Sequence, residues 1–287
     1  IIYFAVLIGI GLYCRKHATD VNGFVLGGRS VGPWLTAFAY GTSYFSAVVF
    51  VGYAGQFGWK YGIAATWAGI GNAIIGSLLA WVVLGRRTRI MSQHLDSATM
   101  PQYFGKRFGS NPLKIGASVI IFIFLIPYTA SLYNGLSRLF GMAFNIDYSV
   151  CIIIMATLTA IYVIAGGYMA TAINDFIQGI IMLFGIVAVI AAVIHSKGGF
   201  MSALQGLANV SDPAVSNTPG IFASFFGPDP FNLLCVVILT SLGTWGLPQM
   251  VQKFYAIDNE ASIQKGTVIS TIFALIVSGG CYFLGGF

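Results

Sequence analysis

Charge is what this sequence has least of. Only 8% of its 287 residues are Asp, Glu, Lys or Arg, while 57% are hydrophobic and mean hydropathy is +0.85; a soluble domain carries roughly a quarter charged residues. That balance excludes water as the only solvent. Cysteine is scarce too: Cys14, Cys151, Cys235 and Cys281 stand singly, with no CxxC and no paired histidine. The pattern argues against a disulfide framework or a metal cage and fits buried apolar thiols. Catalytic signatures are missing as well, with no HExxH, no paired intramembrane acids and no histidine beside a carboxylate, so an enzyme is not expected. The first apolar run leads into Cys14-Arg15-Lys16 instead of a small-residue cleavage site, and reads as a span, not a signal peptide. Ile1 and Phe287 both fall inside apolar runs, so the chain reads as a truncated piece of a longer design.

What is present is a series of apolar stretches close to the length of about 20 residues that a helix needs to cross a bilayer. Cutting at charge and Gly/Pro clusters places them near 1–13, 33–55, 62–84, 113–141, 148–165, 173–195, 231–252 and 266–287, about eight crossings of an all-α polytopic membrane protein. If the chain alternates sides, eleven of the fourteen basic residues, among them Arg29, Arg89 and Lys253, share one side. Lysine and arginine favour the cytoplasm, which puts the N-terminal end outside and the Arg86–Lys114 loop inside, in a plasma (inner) membrane. The net charge of +6 then needs no nucleic-acid partner; the basic residues serve as topology determinants facing the lipid bilayer. Residues 96–108 suit a short interfacial helix.

Two spans carry poor helix chemistry. The second packs Gly41, Thr42, Ser43 and Ser46 into an apolar run; the seventh reads Thr240-Ser241-Leu242-Gly243-Thr244-Trp245-Gly246-Leu247-Pro248. Such a segment is either a small-residue packing face or an unwound stretch lining a polar cavity. Breaks in corresponding halves are the sequence pointer to a transporter's midplane site, and the pair favours function. Asp175 is the acid nearest the interior of a span. It reads equally as a cation guide or as an acid settled on a helix N-terminus. Tyr128 and Ser131 follow Pro127 and face either a cavity or the core.

The run Leu26-Gly27-Gly28-Arg29-Ser30-Val31-Gly32-Pro33, the Pro101-Gln102-Tyr103-Phe104 and Arg107-Phe108 pattern, Gly166-Gly167 through Asp175 and Gln178, and Gly246-Leu247-Pro248, in this order, resemble the sodium/solute symporter family. The family includes sodium/proline and sodium/pantothenate symporters and sugar cotransporters. The resemblance implies a LeuT-type inverted-repeat bundle: an extra N-terminal helix and loop (1–29), a first five-helix repeat (30–196), an extracellular connector (197–230) and the start of a second repeat (231–287). It implies sodium as the coupling ion, held by the backbone carbonyls of Thr42 and Phe45, with the other half of the site beyond Phe287. Asp175 falls on the sodium path, and Tyr44, Ser46, Ser241, Thr244, Trp245 and Tyr128 contact the solute. Proline symporters carry an aspartate at the place of Tyr44, and sugar members a tyrosine at the place of Thr244. The run from Thr42 to Ala47 is closer to pantothenate-type members, so a pantothenate-like carboxylate or an amino acid is the expected solute.

The expected activity is sodium-coupled secondary active symport into the cell by alternating access. A passive channel is the first alternative and would want a continuous polar lining, whereas the polar residues here cluster at one depth. A transporter-like sensor domain is the second.

Overall fold

The computed structural model describes residues 2–46 and 48–287; Ala47, inside the expected second span, lies outside them. Among the described residues thirteen α-helices follow one another: α1 Ile2–Cys14, α2 Val21–Leu26, α3 Pro33–Tyr44, α4 Ala54–Tyr61, α5 Thr66–Gly71, α6 Arg86–His94, α7 Met100–Phe108, α8 Asn111–Phe144, α9 Tyr148–Ser196, α10 Phe200–Ala208, α11 Pro230–Leu242, α12 Pro248–Ala256 and α13 Glu260–Gly285. No strand occurs among the described residues.

Helix starts follow the local chemistry. A short oxygen-bearing side chain must meet the first orphan amides, and Asp20, Thr99, Ser110 and Asp229 do so at α2, α7, α8 and α11. Proline sits in the first turn of α7, α8, α11 and α12, where its missing N–H costs nothing.

Among the described residues four helical runs are long and apolar enough to cross a membrane, Ala54–His94, Asn111–Phe144, Tyr148–Ser196 and Glu260–Gly285, or five with the bent pair Pro230–Gly246 and Pro248–Ala256. The sequence predicts about eight, and the difference has identifiable causes. α1 and α3 are short, at 13 and 12 residues. The expected spans 148–165 and 173–195 share the 49-residue α9, turned within it at Gly167 (φ 56°, ψ −147°). No loop separates them because one glycine makes the turn.

The chain forms two compact units. The first comprises residues up to Tyr44 with Trp81–Gln178 and Gly246–Ile269. Its core joins Leu26, Val31, Tyr168, Ala172, Val251 and Tyr255, and an aromatic group of Tyr40, Trp81 and Phe254 has ring centroids 5.1–5.7 Å apart. The second comprises Phe45–Ala80, Gly179–Trp245 and Ser270–Phe287. There α5 meets α13 backbone to backbone, so that a Cβ on Gly69 would lie 2.6 Å from the Gly279 Cα. Small residues at such crossings let helices gain dispersion contacts that lipid cannot supply.

Three basic residues that the charge pattern assigns to loops are instead bound by protein. Gly27, Gly28 and Arg29 all have positive φ (59°, 67° and 55°). This left-handed turn aims the Arg29 guanidinium at the carbonyls of Ser97 (2.8 Å), Ser92 (3.2 Å) and Tyr255 (3.3 Å). Arg89, 5% exposed, donates to the carbonyls of Ile257 (2.6 Å) and Asp258 (3.0 Å). The Val31 amide donates to the Ala256 carbonyl at 3.3 Å. The carbonyls at the end of α12, which have no partner within the helix, are thereby met one after another. Partial burial lowers the Arg29 pKa from its ordinary value, yet a guanidinium keeps its charge at any physiological pH. Lys253 is the third, described below. The expected interfacial helix forms as α7, but Tyr103 stacks on Tyr255 (6.0 Å, 22°), so part of its aromatic face is turned to protein.

Candidate functional site

The first break lies three residues beyond Thr42. The Thr42 hydroxyl folds back to the Phe38 carbonyl at 2.9 Å, which satisfies it inside a helix. α3 therefore runs on to Tyr44 and the helical path stops at Phe45-Ser46. The Ser46 carbonyl then accepts from the Val49 and Phe50 amides at 3.0 and 3.3 Å, opening the π-helical segment Val48–Tyr53. α3 ends at Tyr44, so Thr42 lies in its last turn, the part of a helix where the i→i+4 ladder runs out. Carbonyl oxygens so freed are hard donors of the kind small cations take.

The second break is where the sequence places it. α11 ends at Leu242, a tight 3-10 turn covers Gly243–Gly246, and α12 starts afresh at Pro248. Pro248 cannot donate an amide back into α11.

The predicted residues divide between the two units. Thr42, Tyr44, Tyr128 and Asp175 belong to the first; Phe45, Ser46, Ser241, Thr244 and Trp245 belong to the second. Tyr44 is buried edge-on to Tyr40, with ring centroids at 6.3 Å. Tyr128 is half-exposed on α8, whose carbonyl at that residue takes the Ser131 hydroxyl at 2.7 Å. In the second unit the polar groups of α11 and the turn are engaged by protein. Ser241, fully buried, donates to the Asn72 side-chain oxygen at 3.1 Å, and Thr240 reaches the same atom at 3.1 Å. Thr244 donates to the Ser241 carbonyl at 2.9 Å and the Trp245 indole to the Ile75 carbonyl at 3.0 Å.

Sequence reasoning misses Asn72. It is 1% exposed, opens a π-helical segment Asn72–Leu79, and its amide nitrogen reaches Ser278 at 3.3 Å while its oxygen holds Thr240 and Ser241. One side chain thus joins three helical segments. A lone Asn within an apolar run is the signal that marks it, since an amide there must find partners.

In the first unit Asp175 has a partner that the charge pattern hides. Lys253 lies on α12 with its ammonium 3.8 Å from the carboxylate, and the two side chains are 8% and 21% exposed. The same ammonium sits 5.0 Å above the Tyr168 ring. α3 packs close to this acid: the Phe38 ring, one turn before Thr42, lies 4.8 Å from the ring of Phe176, the neighbour of Asp175, while the Thr42 hydroxyl stays on the Phe38 and Ala39 carbonyls at 2.9 and 3.4 Å. The side-chain amides of Asn174 and Gln249 and the Tyr168 hydroxyl are buried with no protein partner among the described residues; such groups require water or a ligand. By contrast Arg86 and Glu260 pair at 2.7 Å with side chains 72% and 50% exposed, an arrangement worth at most about 1 kcal/mol.

The family model of the sodium:solute symporter family matches residues 24–287 of the sequence. The chain belongs to this family. It is 30% identical over 287 residues to the osmoregulated proline transporter OpuE of Bacillus subtilis (strain 168), covering 99% of this chain and 56% of the relative. It is 32% identical over 274 residues to a sodium/proline symporter of Staphylococcus aureus (strain JH9), covering 92% of this chain and 50% of the relative. The chain thus spans about half the length of these relatives. Among solved structures it superposes on a Na+-coupled sialic acid symporter in a substrate-bound outward-open state with a TM-score of 0.77 at 17% identity, covering 99% of this chain and 58% of that one. The LeuT-type helical fold and a multi-pass membrane protein follow for this family member.

Proposed function

We propose that the protein performs sodium-coupled symport of a small organic solute into the cell by alternating access and is not an enzyme. The observation that carries this reading is the pair of broken helices, at Phe45-Ser46 and at Gly243–Gly246, in a chain of the sodium:solute symporter family. Sodium would take the carbonyls of Thr42 and Phe45 and pass by Asp175. The solute would meet Tyr44, Ser46, Ser241, Thr244, Trp245 and Tyr128. The two named relatives are proline transporters, so amino acids, proline first, are the solutes to test. Tyr44, in place of the aspartate of proline symporters, would set a different contact.

Ordering of the α3 end by sodium would preform the solute site, and each ligand then raises the other's affinity by the same factor. A membrane potential adds about 2.3 kcal/mol per charge at 100 mV. With Arg29, Arg89 and Lys253 set aside, Arg15, Lys16, Arg86, Arg87, Lys106, Arg107, Lys114 and Lys265 still share one side. This supports a plasma-membrane orientation with the N-terminal end outside and the Arg86–Lys114 loop cytoplasmic. The segments 30–196 and 231–287 would be the first repeat and the start of its inverted counterpart, joined by the connector 197–230.

Thr42→Val and Asp175→Asn, made in the intact protein and measured by solute uptake into proteoliposomes, test the sodium assignment. Asp175→Asn is expected to weaken apparent sodium affinity about tenfold, the equivalent of losing one interaction of 1.4 kcal/mol. Thr42→Val is expected to weaken it less. Unchanged sodium dependence in both variants sinks the assignment.

A further inference from the structure

We propose that Lys253 is a built-in competitor for sodium at Asp175, a tethered cation that sodium displaces on its way past the carboxylate. The inference rests on the symport reading above and adds to it a residue that the charge pattern assigns to a loop.

Four observations lead there. First, the Lys253 ammonium is 3.8 Å from Asp175, well beyond the 2.7–2.9 Å of a tight charge-assisted bond, so the pair is loose enough to part. Second, the end of α3 is near: the Phe38 ring, one turn before Thr42, lies 4.8 Å from the ring of Phe176, the neighbour of Asp175, and Thr42 belongs to the last turn of α3. Third, the lysine has somewhere to go. Its ammonium already sits 5.0 Å over the Tyr168 ring, and an aromatic face holds a displaced cation without demanding a second acid. Fourth, two buried groups have no protein partner among the described residues, the hydroxyl of the Tyr168 ring that the ammonium sits over and the amide of Asn174, next to Asp175 in the chain. They suit water that accompanies an arriving ion.

Charge arithmetic gives the device its use. A buried carboxylate without a cation is costly, so with Lys253 in place the acid is neutralised whenever sodium is absent. Sodium has to outcompete an ammonium at high local concentration. Apparent sodium affinity is thereby held down and release on the far side is made easier. Lysine suits the role because its ammonium is a compact point charge on a flexible stem.

The test is radioactive sodium binding to the purified intact protein. Lys253→Met keeps the stem and removes the charge; it is expected to tighten sodium binding about tenfold or more. Lys253→Arg keeps a competitor and is expected to stay nearer the parent. In Asp175→Asn with Lys253→Met, the gain from removing the lysine is expected to vanish, because nothing is left to compete for. A merely structural lysine would instead lower stability and leave the sodium affinity of folded protein unchanged or weaker. That result overturns the proposal.

Should Lys253→Met fail to fold, the parent protein gives the answer. Labelling of Lys253 by a small amine reagent, followed by mass spectrometry, is expected to rise at least threefold in sodium over choline. Equal labelling overturns the proposal. Absence of saturable sodium binding in the parent protein contradicts the symport reading itself; normal binding in the parent with an unmoved Lys253→Met contradicts only the competitor.

Discussion

Replacing Arg89 by methionine is expected to lower the apparent melting temperature of the detergent-solubilised protein by about 10 °C or more. The guanidinium is 5% exposed and donates to the Ile257 and Asp258 carbonyls at 2.6 and 3.0 Å and to the Gln93 side-chain oxygen at 2.8 Å. Bonds from a charged donor contribute about 1.5–3 kcal/mol each. Methionine fills much of the volume but leaves these oxygens without a donor, so roughly 3–5 kcal/mol is lost. For a chain of this size that corresponds to a shift of the stated order. Lysine is not expected to rescue it, because a single ammonium cannot serve Nε and Nη directions at once. A melting curve within 2–3 °C of the parent, a shift of about 1 kcal/mol, would mean that the end of α12 is held by something other than Arg89.

The second large effect concerns the turn that brings Asp175 into place. Gly167→Ala is expected to abolish correctly folded protein or reduce its yield severely. Gly167 has φ 56° and ψ −147°, a region that residues with a Cβ reach only at about 1–3 kcal/mol. The added methyl would also lie 2.8 Å from the Phe24 carbonyl oxygen on α2, a backbone atom that cannot turn aside. The control is in the same helix. Gly185 has nothing within 4 Å of its would-be Cβ, and alanine there is expected to be neutral or to stabilise by about 0.5–1 kcal/mol. Size-exclusion profiles of the two variants, expressed side by side, check the contrast. Equal yields would show that the turn tolerates a side chain.

These two positions also show what could be read from the sequence and what could not. Apolar runs between charges located the helices because bilayer thickness sets their length. The turn at Gly243–Gly246 was legible because two glycines and Pro248 act locally. The continuation of α3 to Tyr44 is not legible in composition, because it goes with the Thr42 hydroxyl bonding back to Phe38, an outcome that depends on rotamer. Lys253 and Arg89 were hidden for a different reason. A count of lysine and arginine cannot separate a charge facing headgroups from one turned to a carbonyl or a carboxylate. The carbonyl partners of Arg89 stand 168 and 169 residues away. A hint did exist at Lys253: it lies four residues after Gln249 on one helix face and directly before Phe254 and Tyr255, a setting that suits a buried polar stripe better than a loop. One amide in an apolar run does not alter the hydropathy pattern, which hides Asn72.

The candidate site is accordingly read in two parts. In one unit Asp175, Lys253 and Tyr168 form a charged and hydroxylic group. In the other, Asn72 fixes Thr240 and Ser241 beside the turn that carries Thr244 and Trp245. The hydroxyls and the indole of α11 and the turn are spent on protein. A solute would meet their remaining lone pairs and ring faces, which favours shape over a dense hydrogen-bond code.

The central claim is coupling, and the most direct measurement of it is uptake of labelled proline and other small amino acids by the intact protein in proteoliposomes. An inward sodium gradient should drive accumulation of one of them above its equilibrium level, with a further rise when the interior is made negative. Uptake that merely equilibrates, at the same rate with sodium or choline outside, would contradict the account.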